Sequence, residues 1–338
     1  MIVFLIFKTV LIAIILGLSL LIAMYATLVE RKFAGFIQDR YGPDRAGIWG
    51  ILQPVCDGAK LFFKEEYMPN TADKALYILG PSLTMLVALL TSAVIPWGGN
   101  IAIGGNNFSL QVASSSIDIL YIFAITSMGV YGIMIGGWAS NNKFALLGAV
   151  RASSQMISYE LAMGLSIASV IMMSGTLSLS EIVHQQESMW NIAYQPLAFI
   201  IFFTCALAET NRAPFDLPEC EGELVGGYHT EYSSMKLGFY LFSEYINMFI
   251  SSAVISTLFF GGYHMPFIND LGLSQNVVTL LGTAFLFVKI FFFILLFMWV
   301  RWTLPRFRYD QLMKLGWTML LPLALLNLVI TGIVMLLV

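Results

Sequence analysis

Charged side chains are scarce in this chain of 338 residues. They make up 11% of the sequence, whereas soluble domains contain about 25%. The net charge of −3 comes from 17 basic and 20 acidic residues, which excludes a strongly basic protein that binds nucleic acid. Hydrophobic residues account for 58% of the chain, above the roughly 45–50% of a soluble domain. The composition therefore indicates a protein with several membrane-spanning segments.

Cysteine and histidine are also scarce, with three residues of each type. The cysteines form no CxxC pair, the histidines lie far apart, and no spacing is typical of a zinc, haem or iron–sulfur site. The chain also lacks the GxGxxG and P-loop motifs that hold nucleotides. We therefore expect no metal site and no cofactor bound by this chain itself. These residues are Cys56, Cys205, Cys220, His184, His229 and His264.

Eight apolar runs are long enough to cross a bilayer as helices, which takes about 20 residues each. The first run exceeds the roughly 7–15-residue core of a signal peptide and has no cleavage site after it, so we interpret it as a retained helix. No internal repeat divides the chain, and we predict one all-α polytopic membrane domain over residues 1–338. The predicted spans are 2–28, 75–96, 117–138, 153–173, 192–208, 237–260, 277–300 and 317–337.

The basic residues predict the orientation of these spans. Fifteen of the seventeen lie in four loops, whereas the alternate loops at about 97–116, 174–191 and 261–276 contain none. We therefore place the four basic loops on the cytoplasmic or matrix side and both termini on the outer side. The basic loops are 29–74, 139–152, 209–236 and 301–316.

The first basic loop contains a segment, IWGILQPVCDGAKLFFKEE, with apolar residues at helical spacing. This pattern predicts an amphipathic helix that lies in the membrane interface rather than crossing it, with Pro54 as a kink or as part of its first turn. One interpretation is a surface anchor that holds lipid phosphates. The other is one wall of a slot that opens to lipid and admits a ligand with an apolar tail and a polar head. Arg301 and Arg306, from another loop on the same side, would line that slot.

Three carboxylates lie inside or at the end of predicted spans, namely Glu160, Glu209 and Glu244, and Lys289 lies in the seventh span. A charge at the centre of a bilayer costs at least ~2.5–3.5 kcal/mol, so such groups usually face the bundle interior, a partner or water. One interpretation is an ion or proton path. The other is a structural ion pair, for example between Glu244 and Lys289.

The loop 209–236 concentrates further acids. Glu219, Glu221 and Glu223 alternate, so an extended segment would place all three on one side. Carboxylates that share a poorly solvated place cannot all ionise, and their protonation becomes coupled. Arg212 is the only basic residue between Glu209 and Glu231, so pairing within the loop cannot neutralise the set. The alternative, an ordinary solvated acidic loop, stays open.

Five sequence blocks resemble one family. They are ERKxxGxIQxRxGP at 30–43, LQPxxDGxKLxxKE at 52–65, RASSQMISYELAMG at 151–164, AETNRAPFDLPExExELVxGYxxEYSS at 208–234 and PRFRYDQLMxLGW at 305–317. The chain resembles subunit 1 of respiratory complex I, known in bacteria as the H subunit, from end to end. The resemblance implies a membrane subunit that forms much of the quinone chamber and links quinone reduction to proton translocation.

The resemblance also implies roles for individual residues. An acid chain would lead from the chamber into the membrane arm, and a second set would line the quinone path. Quinone would be a substrate rather than a bound cofactor. The acid chain falls on Glu160, Glu209, Asp216, Glu219, Glu221, Glu223, Glu231 and Glu244, and the quinone path on Glu30, Arg31, Arg40, Asp57, Arg301 and Arg306.

The implied partners are the iron–sulfur and quinone-pocket subunits of the peripheral arm, the small membrane-arm subunits, quinone and lipid, with no nucleic acid. The sequence favours a bacterial inner membrane over a mitochondrial one. The alternatives are the equivalent subunit of a membrane-bound hydrogenase, a secondary ion transporter and a purely structural anchor. The transporter is disfavoured because no repeat is visible, and the anchor because it would not need Glu160 and Glu244 within its spans.

Overall fold

Long apolar helices dominate the computed structural model, which describes residues 2–103, 106–216, 224–266 and 274–337. Seven helical spans are long and apolar enough to cross a membrane, so the predicted polytopic, predominantly helical fold is confirmed. The last span runs from Tyr309 to Leu337 and includes a π-helical segment at Leu315–Leu320. The helices are α1 (Ile2–Ile37), α2 (Gln53–Phe63), α3 (Lys74–Thr91), α4 (Asp118–Ala139), α5 (Lys143–Ser174), α6 (Leu179–Gln185), α7 (Asn191–Tyr194), α8 (Pro196–Glu209), α9 (Ser234–Phe259), α10 (Gln275–Thr303), α11 (Tyr309–Lys314) and α12 (Leu321–Leu337).

The connections between helices define two faces of the bundle. The face that carries the connections α1–α3, α4–α5, α8–α9 and α10–α11 is called the loop face, and it holds the predicted basic loops. The opposite face is called the hairpin face. It carries β1 (Asn100–Ile103) and β2 (Asn106–Ser109), which pair antiparallel with Asn100 opposite Ser109.

The helices α1 and α5 extend beyond the apolar runs that predicted them. α1 continues to Ile37, nine residues past the predicted end, and α5 begins at Lys143, ten residues before the predicted start. Charged residues do not end a helix where a partner satisfies them. The side chain of Asn142 accepts a hydrogen bond from the Phe144 N–H, and Gly175, at φ 68°, ends α5. The predicted loop 29–74 therefore begins as helix.

The predicted span 192–208 is divided. Pro196 is the first residue of α8. Proline is favoured there, because an N–H group in the first turn of a helix has no partner within the helix and its absence costs nothing. α7 ends just before it, at Tyr194. α8 has 14 residues, fewer than the roughly 20 that cross a bilayer alone. This explains why seven helices, rather than eight, pass the length criterion in the described part of the chain.

The predicted interfacial helix is α2, and Pro54 lies in its first turn without a kink inside it. The helix begins later than the pattern suggested, because Ile48–Gly50 forms a separate 3-10 turn in which Trp49 has φ 59°. α2 packs against α1 and α9. Phe62 and Phe63 are 68% and 86% exposed, which suits a helix in contact with lipid or a partner.

The short β-hairpin is the one departure from an all-α fold among the described residues. Asn276 at the start of α10 fixes it, since its amide both donates to the Ala102 carbonyl (3.0 Å) and accepts from the Ala102 N–H (2.9 Å). Lys8 of α1 donates to Ser109 Oγ at 3.4 Å. The hairpin therefore joins the ends of α1 and α10 on its face.

α9 lies at the centre of the bundle and packs against α1, α3 and α10. Its apolar face is surrounded by aromatic side chains rather than by lipid. Phe259 lies against Phe199 and Phe202, with ring centroids 5.6 and 5.8 Å apart. The helix that carries Glu244 is therefore the most enclosed of the long helices described.

Lys289 does not pair with Glu244, so this example of a structural ion pair is wrong. Its ammonium group instead donates to the carbonyls of Phe260, Gly262 and His264, at 2.6, 2.7 and 3.2 Å. These carbonyls follow the C-terminus of α9, where the helix dipole favours a cation. The three N–H donors of the lysine meet three acceptors, which is how a buried charge remains tolerable.

We expect Lys289→Met to destabilise the protein, because three carbonyls just after α9 lose their donor. Each unsatisfied buried polar group costs about 1–3 kcal/mol. Thermal unfolding of the purified complex should begin at a lower temperature, whereas Lys314→Met, at an exposed site, should leave it unchanged. Equal unfolding temperatures for the two variants would contradict this account of Lys289.

Candidate functional site

A buried ion network lies at the loop-face end of α1. The carboxylate of Glu30, 6% exposed, forms an ion pair with Arg301 at the end of α10. Tyr245 of α9 donates its hydroxyl hydrogen to Glu30 Oε2 at 2.8 Å. Arg212 Nη1 lies 3.7 Å from the same oxygen. Three segments that are distant in sequence therefore converge on Glu30.

Arg212 also reaches the acid in the centre of the bundle. Its Nη2 lies 3.4 Å from Glu244 Oε2, and its guanidinium lies 4.0 Å from the centroid of the Tyr245 ring. Tyr228 donates to the other oxygen of Glu244 at 3.0 Å. The arginine is 6% exposed, so low-dielectric surroundings strengthen its attraction to both carboxylates. Glu30 and Glu244 are thus linked through one cation.

Two cavities are lined by residues of this network, and a third lies beyond them. Cavity A, of about 240 Å³, is bounded by α1, α2, α9 and Arg301. Cavity B, of about 30 Å³, lies between α3, α4 and α9, and cavity C, also of about 30 Å³, lies between α4, α5, α8 and α9. Glu244 lines both A and B, and Glu209 lines both B and C. Glu244 therefore lies between cavities A and B, and Glu209 lies between cavities B and C.

Cavity A combines an apolar wall with charged groups. Met24, Leu61 and Phe242 supply apolar surface. Asp57 on α2 accepts from Arg31 Nη1 at 2.6 Å, and both line the cavity. Gly58 also lines it, and a Cβ built at that position would have no atom within 4 Å. The residues that line it in addition are Thr27, Pro54, Arg212, Leu241, Glu244, Tyr245 and Arg301.

Glu209 and Glu160 lie deeper in the bundle. Glu209 is the last residue of α8, it is partly buried, and it lines cavities B and C. Glu160, on α5, accepts a hydrogen bond from Ser127 of α4. It is half-buried, and it is near enough to Glu209 to repel it electrostatically. These two predicted acids are therefore brought together.

Asp216 joins two of the sequence blocks. Its Oδ2 lies 2.9 Å from Arg306 Nη2, and the carboxylate is nearly fully buried. The Phe307 N–H donates to the Pro214 carbonyl at 3.2 Å, and the rings of Phe215 and Phe307 lie 5.6 Å apart. The segment after α10 is therefore fixed on the segment after α8. The pairing shows that Asp216, at least, is neutralised by a residue outside its own loop.

Arg306, which was predicted to line the slot beside Arg301, is not among the residues that line cavity A. Two further predicted site residues lie apart from the network and the cavities. Arg40 donates to the neighbouring Gln38 side chain at 2.7 Å and lines an open concavity of about 740 Å³ on the loop face. Glu231 accepts from the Asn142 side chain at 2.6 Å and lines none of cavities A, B and C. Glu219, Glu221 and Glu223 lie outside the described residues, so their role remains a prediction.

The sequence did not reveal several residues that build the site. Gln155 donates to the carbonyls of Ala208 and Phe215, both at 2.9 Å, and so connects α5 to the chain after α8. Tyr228, Tyr245 and Ser127 hold acids through hydroxyl groups. Neutral hydroxyl and amide groups give no charge signal in a sequence. The sequence indicated a role for Gln155 and Tyr228 only in that each lies within one of the five sequence blocks, at 151–164 and 208–234.

The tyrosines of the loop face also anchor the segment before α9. The ring of Tyr232 stacks on Tyr77 of α3, with centroids 4.1 Å apart. Burial raises the pKa of Tyr232 to about 12, so its hydroxyl stays protonated near neutral pH and donates to the Gly136 carbonyl at 3.1 Å. This contact holds the segment that carries Tyr228 and Glu231 against α4.

The fold and the site together define a polytopic membrane protein in which linked buried charges separate an amphiphilic cavity from small internal cavities. The family model described as NADH dehydrogenase matches residues 9–332. The chain belongs to this family.

Curated relatives match along nearly their whole length. The H 1 subunit of the NADH-quinone oxidoreductase of Cytophaga hutchinsonii is 64% identical over 330 residues, which cover 97% of this chain and 96% of the relative. The H subunit of the Flavobacterium johnsoniae enzyme is 59% identical over 338 residues, with 98% and 96% covered. The H 1 subunit from Geobacter sulfurreducens is 49% identical, with 93% and 91% covered. The resemblance seen in the five sequence blocks is thereby confirmed.

The contact between Asp216 and Arg306 predicts non-additive effects on stability. Asp216→Asn and Arg306→Gln should each destabilise the complex, while the double variant should cost little more than either single variant. Coupling energies of about 0.5–3 kcal/mol are usual for residues in contact, and the half-exposed arginine places this pair at the low end. Thermal unfolding of the four proteins measures the coupling. Arg308→Gln, which breaks an exposed pair with Asp310, should change nothing; fully additive losses would contradict the pairing.

Proposed function

We propose that this chain is the membrane subunit of a proton-translocating NADH-quinone oxidoreductase that forms part of the quinone chamber. The curated relatives named above are H subunits of enzymes that carry that name, and none of them belongs to a hydrogenase. The chain's own contribution is to bind and orient the quinone and to transmit the effect of its reduction. The redox centres belong to other subunits of the complex.

The shape of cavity A supports a quinone path. A quinone has a long apolar tail and a small polar head, and cavity A offers apolar surface beside Arg31, Asp57 and Arg301. The amphipathic helix α2 forms one wall, with exposed aromatic residues at its end. The tail would lie along Met24, Leu61 and Phe242, and the head would meet the charged groups. Hydrogen bonding to the carbonyl oxygens of the head is the chemistry that arginine supplies.

The observation that carries the coupling proposal is the position of Arg212 between Glu30 and Glu244. Glu30 belongs to the network beside cavity A, and Glu244 belongs to cavities A and B. When a quinone or its reduced anion attracts Arg301, Glu30 loses part of its positive partner and attracts Arg212 more strongly. Glu244 then loses attraction to Arg212 and binds a proton more readily. Charge at the quinone thereby changes protonation at the entrance to cavity B.

The deeper acids would carry the signal onward through Glu209 to Glu160. Glu160 is half-buried on a surface where Met128, Ile157 and Leu161 are 44–53% exposed. A carboxyl group that faces lipid at this depth is costly, so we propose that a small membrane-arm subunit covers this surface. Glu219, Glu221 and Glu223 would extend the acid chain along the loop.

The loop face would hold the peripheral arm. Phe36, Tyr41 and Trp49 are 86%, 95% and 77% exposed there, around the open concavity that Arg40 lines. Large exposed apolar side chains mark interaction surfaces. We propose that the iron–sulfur and quinone-pocket subunits dock on this surface and close cavity A from above.

We also propose eight crossings, with α7 and α8 together forming the fifth, both termini on the outer side, and a bacterial inner membrane as the location. The fifteen basic residues of the loop face support this orientation. The organisms of the relatives named above support the location.

Glu244→Gln tests the coupling role. The substitution keeps the shape and an acceptor for Tyr228, but it removes the charge that Arg212 contacts. We expect NADH oxidation by a water-soluble artificial acceptor to remain, while quinone reduction falls about ten-fold, since ~1.4 kcal/mol of lost interaction is a factor of ten. Both rates are measured on the assembled complex.

Glu187→Gln is the matched control, because Glu187 is exposed on the hairpin face and lines none of cavities A, B and C. Its quinone reduction should equal that of the unmodified complex. Full coupled activity in Glu244→Gln would refute the coupling role.

Gly58→Leu tests the quinone path. A Cβ at this position meets no atom within 4 Å and Gly58 lines cavity A, so we expect the larger side chain to narrow the path while folding is preserved. We expect the KM for quinone to rise several-fold. Gly17→Leu is the control: Gly17 lies on α1, also has no atom within 4 Å of a built Cβ, and does not line the cavity. An unchanged KM in Gly58→Leu would show that quinone does not use cavity A.

A further inference from the structure

Cavity C is elongated along the bundle and leads away from Glu209 towards the hairpin face. Its lining on α4 runs from Thr126, beside Glu209, to Ile119. These residues are seven positions apart, about 10 Å along a helix. On α9 the lining runs from Ile250 to Leu258, about 12 Å by the same rise. The residues that line the cavity therefore extend about 10–12 Å from the level of Glu209 towards the hairpin face.

A buried carboxylate lies at the far end of this cavity. Asp118 precedes Ile119 at the start of α4 and has no exposed surface. Its Oδ2 accepts from the Leu179 N–H at 3.2 Å, and Leu179 lines cavity C. Its Oδ1 accepts from the Ser115 N–H at 3.0 Å. The coupling described above makes no use of this acid.

Asp118 is connected in turn to a polar cavity on the hairpin face. Gln111 donates to Asp118 Oδ2 at 3.1 Å and to the Val94 carbonyl at 2.7 Å. Gln111 also lines a cavity of about 370 Å³ together with Ser114 and Ser180. Polar contacts thus continue from the end of cavity C to an accessible polar surface.

The lining of cavity C suits a gate rather than a permanent water channel. A volume of about 30 Å³ is sufficient for one or two water molecules. A stable water needs two to four polar partners, however, and the polar side chains that line this cavity are Glu209, Thr126 and Ser251 near one end, with apolar residues beyond them. Apolar constrictions of this kind conduct when wet and block when dry.

We propose that cavity C, Asp118 and Gln111 form the hairpin-face half of a proton route through this chain, which opens when water enters the cavity. A proton leaves the carboxyl group of Glu209, passes along the water and reaches the carboxylate of Asp118, so that Glu209 becomes the carboxylate. Asp118 then releases the proton to water beside Gln111. The direction of transfer rests on the proposed function, whereas the existence of the route does not.

The hydrogen bonds of Asp118 suit a relay. Three donors hold its carboxylate in place, which fixes the acid between the end of cavity C and Gln111. Lys8, which lies on this side, bonds to the Gln111 carbonyl. The groups that bond to Asp118 are therefore neutral N–H donors, which stay in place when its carboxylate binds a proton.

A hydrating variant tests the route without electron transfer. Val254→Thr with Ile167→Thr adds two hydroxyl groups to the apolar part of cavity C, and Val254→Thr is nearly isosteric. The assembled complex is reconstituted in lipid vesicles, a pH gradient is imposed without NADH or quinone, and its decay is followed with a pH-sensitive dye. We expect decay at least several-fold faster than with the unmodified complex.

Adding Asp118→Asn to the hydrating pair should return the decay to the unmodified rate, because the relay is removed. If this variant fails to assemble, Gln111→Met cuts the same connection one residue further out and replaces it. The control pair Val130→Thr with Val170→Thr introduces the same groups at buried positions outside cavity C and should cause no leak.

Absence of a leak in the hydrating pair, or a leak that persists without Asp118 or Gln111, overturns the proposal. Neither outcome affects the quinone chamber, since the gradient is imposed without turnover. Normal pumping in Glu244→Gln would overturn the coupling role alone and leave this route standing.

Discussion

The attraction of Arg212 for two carboxylates is the interaction on which the site depends. Inside a membrane protein each isolated charge is costly, so Glu30, Glu244, Arg212 and Arg301 are tolerable only as a set. Glu30 lies beside two cations, Arg212 and Arg301. Glu244 shares the first of them, with Arg212 Nη2 3.4 Å from its Oε2. A change at any member therefore alters the electrostatic energy of the others. This is how an event in cavity A can act on cavity B without a large movement of the helices.

The long helices make that arrangement geometrically possible. α1 carries Glu30 and Arg31 beyond its apolar run, and α9 presents Glu244 and Tyr245 side by side at the centre of the bundle. The connection after α8 then supplies Arg212 between them. Because α9 is enclosed by other helices, its acid faces protein and cavities rather than lipid. The rigid bundle sets the positions of the charges, and the connection after α8 and the last turn of α10 supply the cations.

Much of this architecture could be predicted from the sequence, because apolar runs and basic loops report directly on the membrane. The hydropathy pattern indicated seven long helices correctly and located Glu160, Glu209 and Glu244 within or at the ends of helices. It misplaced helix ends where polar residues continue a helix, as at Glu30. It could not predict that Lys289 binds backbone carbonyls, since three acceptors on an irregular segment have no signature in side-chain chemistry.

The grouping of the site residues was the harder inference. Resemblance separated acids from quinone-path residues, yet the structure joins the two sets through Arg212 and through the pair of Asp216 with Arg306. The number of basic residues within the loop 209–236 suggested too few cations to pair with the acids. The further cations come from the end of α10 and the segment after it. Long-range pairing of this kind depends on tertiary packing. The division into quinone-path residues and coupling acids therefore does not describe the structure, because Arg212 contacts Glu30 of the first set and Glu244 of the second.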